Sequence, residues 1–154
     1  MYSFITSLEY GIKQESVLDN FFSQWYIIEE ATHYQQSVGI DRIFSIGDKR
    51  FSVEYKTDRI AGRTNNSFIE TISVAEDGSP GWAITSRADV LIYFVPSEKK
   101  VWVIKFNTLR NKLAYWYHKY PRKTVVNETW KGYGILVPLV ELDNIALSIM
   151  EIVS

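Results

Sequence analysis

The sequence predicts a single domain of the α/β (α+β) class, a mixed β-sheet of five or six strands with helices at its start, late middle and end. Three observations carry that expectation. The 154 residues, 46% hydrophobic and 23% charged, suffice for one buried core and fall short of two ordinary domains. Short runs rich in β-branched and aromatic residues, bounded by turn formers, recur along the chain, and three longer segments repeat their apolar residues at helical spacing. No repeat, low-complexity tract or linker divides it.

From Ser7 to Ser23, Leu8, Ile12, Leu18, Phe21 and Phe22 stand close to helical spacing with Glu9, Lys13, Gln14 and Asp19 between them, which is an amphipathic helix. Trp25 to Glu29 reads as a short strand, followed by a polar loop with His33, Gln35, Gln36 and Ser37. Ile40 to Ile46 and Arg50 to Lys56 flank Gly47-Asp48-Lys49, a glycine-containing reversal that signals a β-hairpin. In its second arm Phe51, Val53 and Tyr55 alternate with Ser52, Glu54 and Lys56, so Glu54 and Lys56 project from one face. Thr57 to Asn66 reads as a polar loop carrying Arg59, Arg63, Asn65 and Asn66. Strands are expected at Phe68 to Val74, Ala88 to Val95 and Val101 to Phe106, with chain reversals at Asp77 to Trp82 and Pro96 to Lys99. Thr108 to Tyr120 places Leu109, Leu113, Trp116, Tyr117 and Tyr120 at helical spacing among basic residues. Gly134 to Val140 reads as a strand, and Leu142 to Val153 as a closing helix that Asp143 helps cap.

Composition excludes several chemistries. Cysteine is absent, which removes disulfides, iron-sulfur clusters, zinc ribbons and thiol nucleophiles, and His33 and His118 are the only imidazoles. His118 reads as a packing or phosphate-contacting residue; Trp102, Trp116 and Tyr117 read as core or subunit interface. There is no GxxxxGK loop, GxSxG elbow, GxGxxG turn or HExxH pair. No run approaches the length of a membrane span and the first residues lack a secretion signal, so a soluble, intracellular protein is expected. The net charge of -1 conceals an asymmetry: residues 98 to 131 hold nine basic and two acidic side chains. Such a stretch is the footprint of a polyanion partner, or simply a solvated basic helix. Lys99, Lys100, Arg110, Lys112, Lys119, Arg122, Lys123 and Lys131 are candidate phosphate contacts, and Arg59, Arg63, Asn65, Asn66 and Arg87 suit base edges.

The order of acidic residues carries the chemistry. Two carboxylates on adjacent arms of a hairpin, Asp41 and Glu54, can converge on one hard divalent cation, and the Tyr55 carbonyl between Glu54 and Lys56 can add a ligand. Lys56 on the Glu54 face would sit beside an attacking water, and a helix with Glu15 precedes the hairpin. Taken alone, these residues also suit surface ion pairs.

Gly39-Ile40-Asp41-Arg42-Ile43-Phe44 followed by Phe51-Ser52-Val53-Glu54-Tyr55-Lys56 resembles the active-site hairpin of the PD-(D/E)xK nucleases, the restriction-endonuclease and Holliday-junction-resolvase superfamily. The likeness covers residues 8 to 57, and the later elements only in order and type; Ile40 stands where the family name has proline. It implies a restriction-endonuclease-like fold and Mg²⁺ (or Mn²⁺) held by Asp41 and Glu54. Hydrolysis would be assisted by Lys56, with Glu15 of Gly11-Ile12-Lys13-Gln14-Glu15 as the helix acid and Glu9 as the lesser candidate for that role. Double-stranded DNA is the implied substrate, cut on both strands by a homodimer or homotetramer. The free-standing size and the Arg/Asn loop are similar to small intron-encoded homing endonucleases of this fold found in cyanobacteria. A structure-specific junction resolvase and a non-catalytic nucleic-acid-binding module on the same scaffold are the alternatives.

Overall fold

Helical spacing of Leu18 and Phe22 gives the first helix a buried apolar face, and that face packs on a sheet built mostly from the middle of the chain. The computed structural model describes residues 4–74, 78–126 and 131–153. In chain order the elements are α1 (Phe4–Phe22), β1 (Ile27–Glu30), α2 (His33–Ser37), β2 (Arg42–Ile46), β3 (Lys49–Thr57), α3 (Ala61–Thr64), β4 (Asn66–Val74) and β5 (Ser79–Pro80). Then come α4 (Trp82–Thr85), β6 (Val90–Val95), a 3₁₀ turn at Pro96–Glu98, β7 (Lys100–Lys105), α5 (Phe106–Lys119), β8 (Arg122–Val126), β9 (Lys131–Pro138), α6 (Leu139–Ile145) and β10 (Ser148–Glu151).

Six strands form a mixed sheet in the order β1-β2-β3-β6-β7-β10, in which β3 and β6 pair in parallel and every other neighbour is antiparallel. β6 is buried along its whole length because both faces are covered, which is why its sequence is an uninterrupted apolar run. One face, with Phe44, Val53, Tyr55, Ile92 and Phe94, lies under α1. On the other face Leu91, Tyr93, Val95, Trp102 and Ile104 join a second core with Trp116 of α5 and Leu142 of α6. That core also takes Ile69, Ile135 and Val137 from a second, antiparallel sheet ordered β5-β4-β9-β8. The register places Glu54 beside Leu91 and Lys56 beside Tyr93, so both project toward the second sheet.

The α+β class stands, with several corrections. The strands form two sheets, of six and four, where one of five or six was expected. The expected loop at His33 to Ser37 contains α2, capped by the Thr32 side chain and by Gln35 reaching back to the Thr32 N–H. Asp58 accepts the N–H groups of Ile60 and Ala61 and starts α3 within the expected loop at 57 to 66. The hairpin reversal is two residues, since Ile46 already pairs with Lys49. β8 was not anticipated, and the closing helix ends at Ile145, after which β10 pairs with β7. Asp143 does not cap that helix: Pro138 is the N-cap residue and the Asp143 carboxylate accepts the Trp102 indole N–H at 2.7 Å. Trp102 and Trp116 are core, whereas Tyr117 is exposed. Asp77, the first residue of the expected reversal before β5, lies outside the described residues. Among the described residues no helix is long and apolar enough to cross a membrane.

Candidate active site

The hairpin and the parallel pairing of β3 with β6 set the geometry. Asp41 lies one step beyond the last β2–β3 pair, Arg42 with Val53, and therefore across from Glu54. Its N–H donates to the Val53 carbonyl at 2.8 Å and its carboxylate accepts the Tyr55 N–H, also at 2.8 Å. The turn that delivers Asp41 needs a glycine: Gly39 has φ +86°, and a Cβ there would stand 2.7 Å from Ser86 Oγ. Burial holds the Asp41 carboxyl above the ordinary aspartate range, opposed by the Tyr55 N–H and the charge of Lys56.

Glu54 is the most enclosed of the set, with a side chain 6% exposed. One of its oxygens pairs with Lys56 Nζ at 3.2 Å; the other, Oε1, is buried with no hydrogen-bond partner. The Ser86 hydroxyl stands beside this carboxylate and 3.1 Å from the Gly39 carbonyl. Burial pushes the Glu54 carboxyl up, against the pull of Lys56 and Ser86, and the charge of Asp41 pushes in the same direction as burial.

Glu15 approaches from α1 on the opposite face of the sheet. Its carboxylate pairs with Arg42 at 3.3 Å, while Asp19, one turn further on, accepts from Arg42 at 3.0 and 3.1 Å and from the Tyr55 hydroxyl at 2.8 Å. Arg42 therefore fastens the helix to the hairpin. Burial raises the Glu15 carboxyl, and Asp41 is the next largest cause, so the two carboxylates share one electrostatic environment. Asp41, Glu54 and Lys56 are thus brought together near the end of β3, whereas Glu15 is held to Arg42 on the α1 side. Asp19, Ser86 and Gly39, which sequence reasoning passed over as site residues, organise them.

Lys56 borders two concavities that share Lys56, Thr57 and Arg59. One, of about 450 Å³, runs along α1 past Tyr10, Gly11 and Glu15. The larger, of about 610 Å³, opens toward the second sheet and is walled by Phe68, Glu70, Pro80, Trp82 and Tyr93. Glu70 is a further buried carboxylate, raised by burial and drawn down by Lys56, that no motif in the sequence marked.

The basic and amide candidates do not form one surface. Arg59 stacks on Tyr10 and lines both concavities; Lys123 lines a small cavity with Asp58 and Val125 beside the larger one. Arg63 and Arg87 are exposed on α3 and on the approach to β6. Asn65 is the left-handed C-cap of α3, with Asn66 next to it opening β4. Lys99 and Lys100 lie at the β6–β7 reversal, and Lys131 is exposed at the start of β9. Lys112 and Lys119 flank Tyr115 on the outer face of α5, and Arg122 reaches back to the Tyr117 carbonyl. Arg110 is a correction: its guanidinium donates to the carbonyls of Ala83 and Ser86 and lies over Phe106, so it braces the loop that carries Ser86.

Among the described residues no group of three or more His, Cys, Asp or Glu is arranged as a ready-made metal cage. A Mg²⁺ site does not need one, since that ion commonly takes one or two carboxylates and completes its shell with water and phosphate oxygens. The unpartnered Glu54 oxygen, with Asp41 across from it, fits that requirement. Compared with known protein families, curated proteins and solved structures, the chain matches none of them.

Proposed function

We propose that this protein is a Mg²⁺- or Mn²⁺-dependent DNA endonuclease that hydrolyses phosphodiester bonds. Asp41 and Glu54 hold the cation, with the Tyr55 carbonyl as a further donor; Lys56 serves the water side and Glu15 supports the site from α1. The observation that carries this reading is the Glu54 carboxylate, split between an ammonium on one oxygen and no partner on the other. A buried charged acceptor without a hydrogen bond costs more than the roughly 1–3 kcal/mol of a neutral one, and a fold keeps such a cost where a ligand relieves it.

The cation, when bound, supplies neutralising charge at the phosphate and acidifies its water. The chain's own residues do the rest. The Tyr55 N–H holds Asp41 in one orientation, Arg42 fixes Glu15, and the Lys56 ammonium is placed to donate to the incoming water or to a phosphate oxygen as charge develops. One such site cuts one strand, so double-strand cleavage at a defined DNA site, of the homing or restriction type, requires a homodimer or homotetramer and belongs to the same proposal.

Incubation of the protein with a pooled plasmid library and Mg²⁺ or Mn²⁺ tests it. Nicked or linear product is expected, with Lys56→Ala and Glu54→Gln lowering the rate by about 10²–10³. Plasmid that stays supercoiled with wild type under both metals overturns the proposal, as does cleavage that Lys56→Ala leaves intact.

A further inference from the structure

If Glu54 is committed to a cation, Lys56 loses the partner that holds it at 3.2 Å. A flexible four-carbon side chain released in this way would leave the water it is meant to serve. The structure holds a second carboxylate that the scheme above does not use. Glu70 projects from β4 of the second sheet into the larger concavity, which Lys56 borders from β3. It is buried, and the ladder between β4 and β9 slips its register between Glu70 and Ile72. Such an irregularity re-aims a side chain and is common beside active sites.

One neighbour, Trp82, joins Glu70 to Lys56. The Trp82 N–H donates to a Glu70 oxygen at a long 3.4 Å, and the Trp82 ring lies 5.6 Å from Lys56 Nζ. Gly81, just before Trp82, has no side chain to spare: a Cβ there would come within 2.7 Å of the Glu70 Cγ and closer still to its carbonyl oxygen. Most other polar groups of this wall are occupied by the fold. Asp58 caps α3 and takes the Tyr93 hydroxyl, Gln36 donates to the Ala31 carbonyl, Ser37 to that of Tyr34 and Thr85 to that of Gly81. Glu70 has only the long bond from Trp82 among the described residues.

We infer that Glu70 is the positioning residue for Lys56, the carboxylate that retains the ammonium in place once Glu54 turns to the cation. It touches neither phosphate nor cation and acts through Lys56 alone, which links the second sheet to the reacting end of β3. This role rests on the nuclease reading for its purpose, whereas the Lys56–Glu70 relation itself can be measured without metal or DNA.

The Glu54→Gln variant removes the ion pair on the Glu54 side without any cation. Amine labelling of Lys56, read by mass spectrometry at fixed pH with exposed Lys112 as the internal reference, should stay slow in Glu54→Gln. It should rise severalfold in Glu54→Gln/Glu70→Gln, as the side chain loses its remaining partner in the concavity and becomes more accessible, with Glu70→Asp restoring part of the protection. Equal labelling in the two Glu54→Gln proteins overturns the inference, whether or not the protein cuts DNA. In cleavage assays Glu70→Gln should lower kcat by about tenfold, as loss of an outer supporting group does, leave KM for DNA within about twofold and add nothing to Lys56→Met. An additive loss in the double variant would assign Glu70 a structural role and refute the positioning one. Thermal melting of each variant excludes misfolding.

Discussion

Glu54 is asked to be charged in a place that disfavours charge. Burial raises its carboxyl, as it does those of Asp41 and Glu15, so the folded chain binds these protons more tightly than the unfolded chain does. A raised carboxyl contributes stability that is complete below the unfolded carboxylate range and is lost as pH rises through the folded value. Wild type should therefore lose thermal stability relative to Glu54→Gln as pH is raised from about 4 to about 8. Parallel melting curves across that range would show that Glu54 is not held up by burial. Mg²⁺ should return the lost stability to wild type, by about 2.7 kcal/mol at a hundredfold excess over Kd, and return none to Glu54→Gln. The pairing of Glu54 with Lys56 was legible in the sequence because period-two alternation puts them on one face. Glu70, Asp19 and Ser86 were not, since each reaches the site only through tertiary packing and no local spacing marks it.

Between residues and fold stand a few short devices that aim the site. Gly39 and Gly47 both have positive φ, +86° and +59°, yet a side chain at Gly47 meets nothing within 4 Å whereas one at Gly39 strikes Ser86. Gly47→Ala should cost only the left-handed penalty of about 1–2 kcal/mol. Gly39→Ala should cost more, by about 1–3 kcal/mol of added strain, and should blunt the Mg²⁺ stabilisation by moving the turn that delivers Asp41. Urea denaturation of the two variants checks this, and equal losses would remove Gly39 from the account. The two strands missed at the C-terminal end share one cause. Leu142, Ile145, Ile149 and Ile152 repeat at helical spacing, but the open edge of β7 offers Ser148–Glu151 a ladder, and the chain turns extended at Ala146. In β8, Arg122 and Lys123 mask a strand whose register is set by β9. Where a partner strand decides, local pattern does not.

At the scale of the molecule, two sheets share one core and leave a concavity between them that Lys56, Thr57 and Arg59 connect to the α1 side. The positive stretch from 98 to 131 is therefore divided by the fold rather than gathered. Lys112 and Lys119 engage Tyr115 on the outside of α5, and Arg110 is consumed by carbonyls, so none of the three lines the concavity that holds Lys56. Lys123 is different because β8 carries it to the cavity shared with Asp58 and Val125, and Val125 also lines the concavity that holds Lys56. DNA seated with a phosphate at Lys56 should meet Arg59 and Lys123 before it meets α5. Binding measured over a series of salt concentrations, with Ca²⁺ in place of Mg²⁺, separates the two surfaces. Each phosphate that a variant no longer neutralises lowers the slope of log K against log salt by about 0.9, so Arg59→Ala and Lys123→Ala should each lower it by that amount. Lys112→Ala and Lys119→Ala should leave it unchanged. The reverse pattern would place the duplex along the outer face of α5, away from Asp41 and Glu54, and would count against the proposed nuclease.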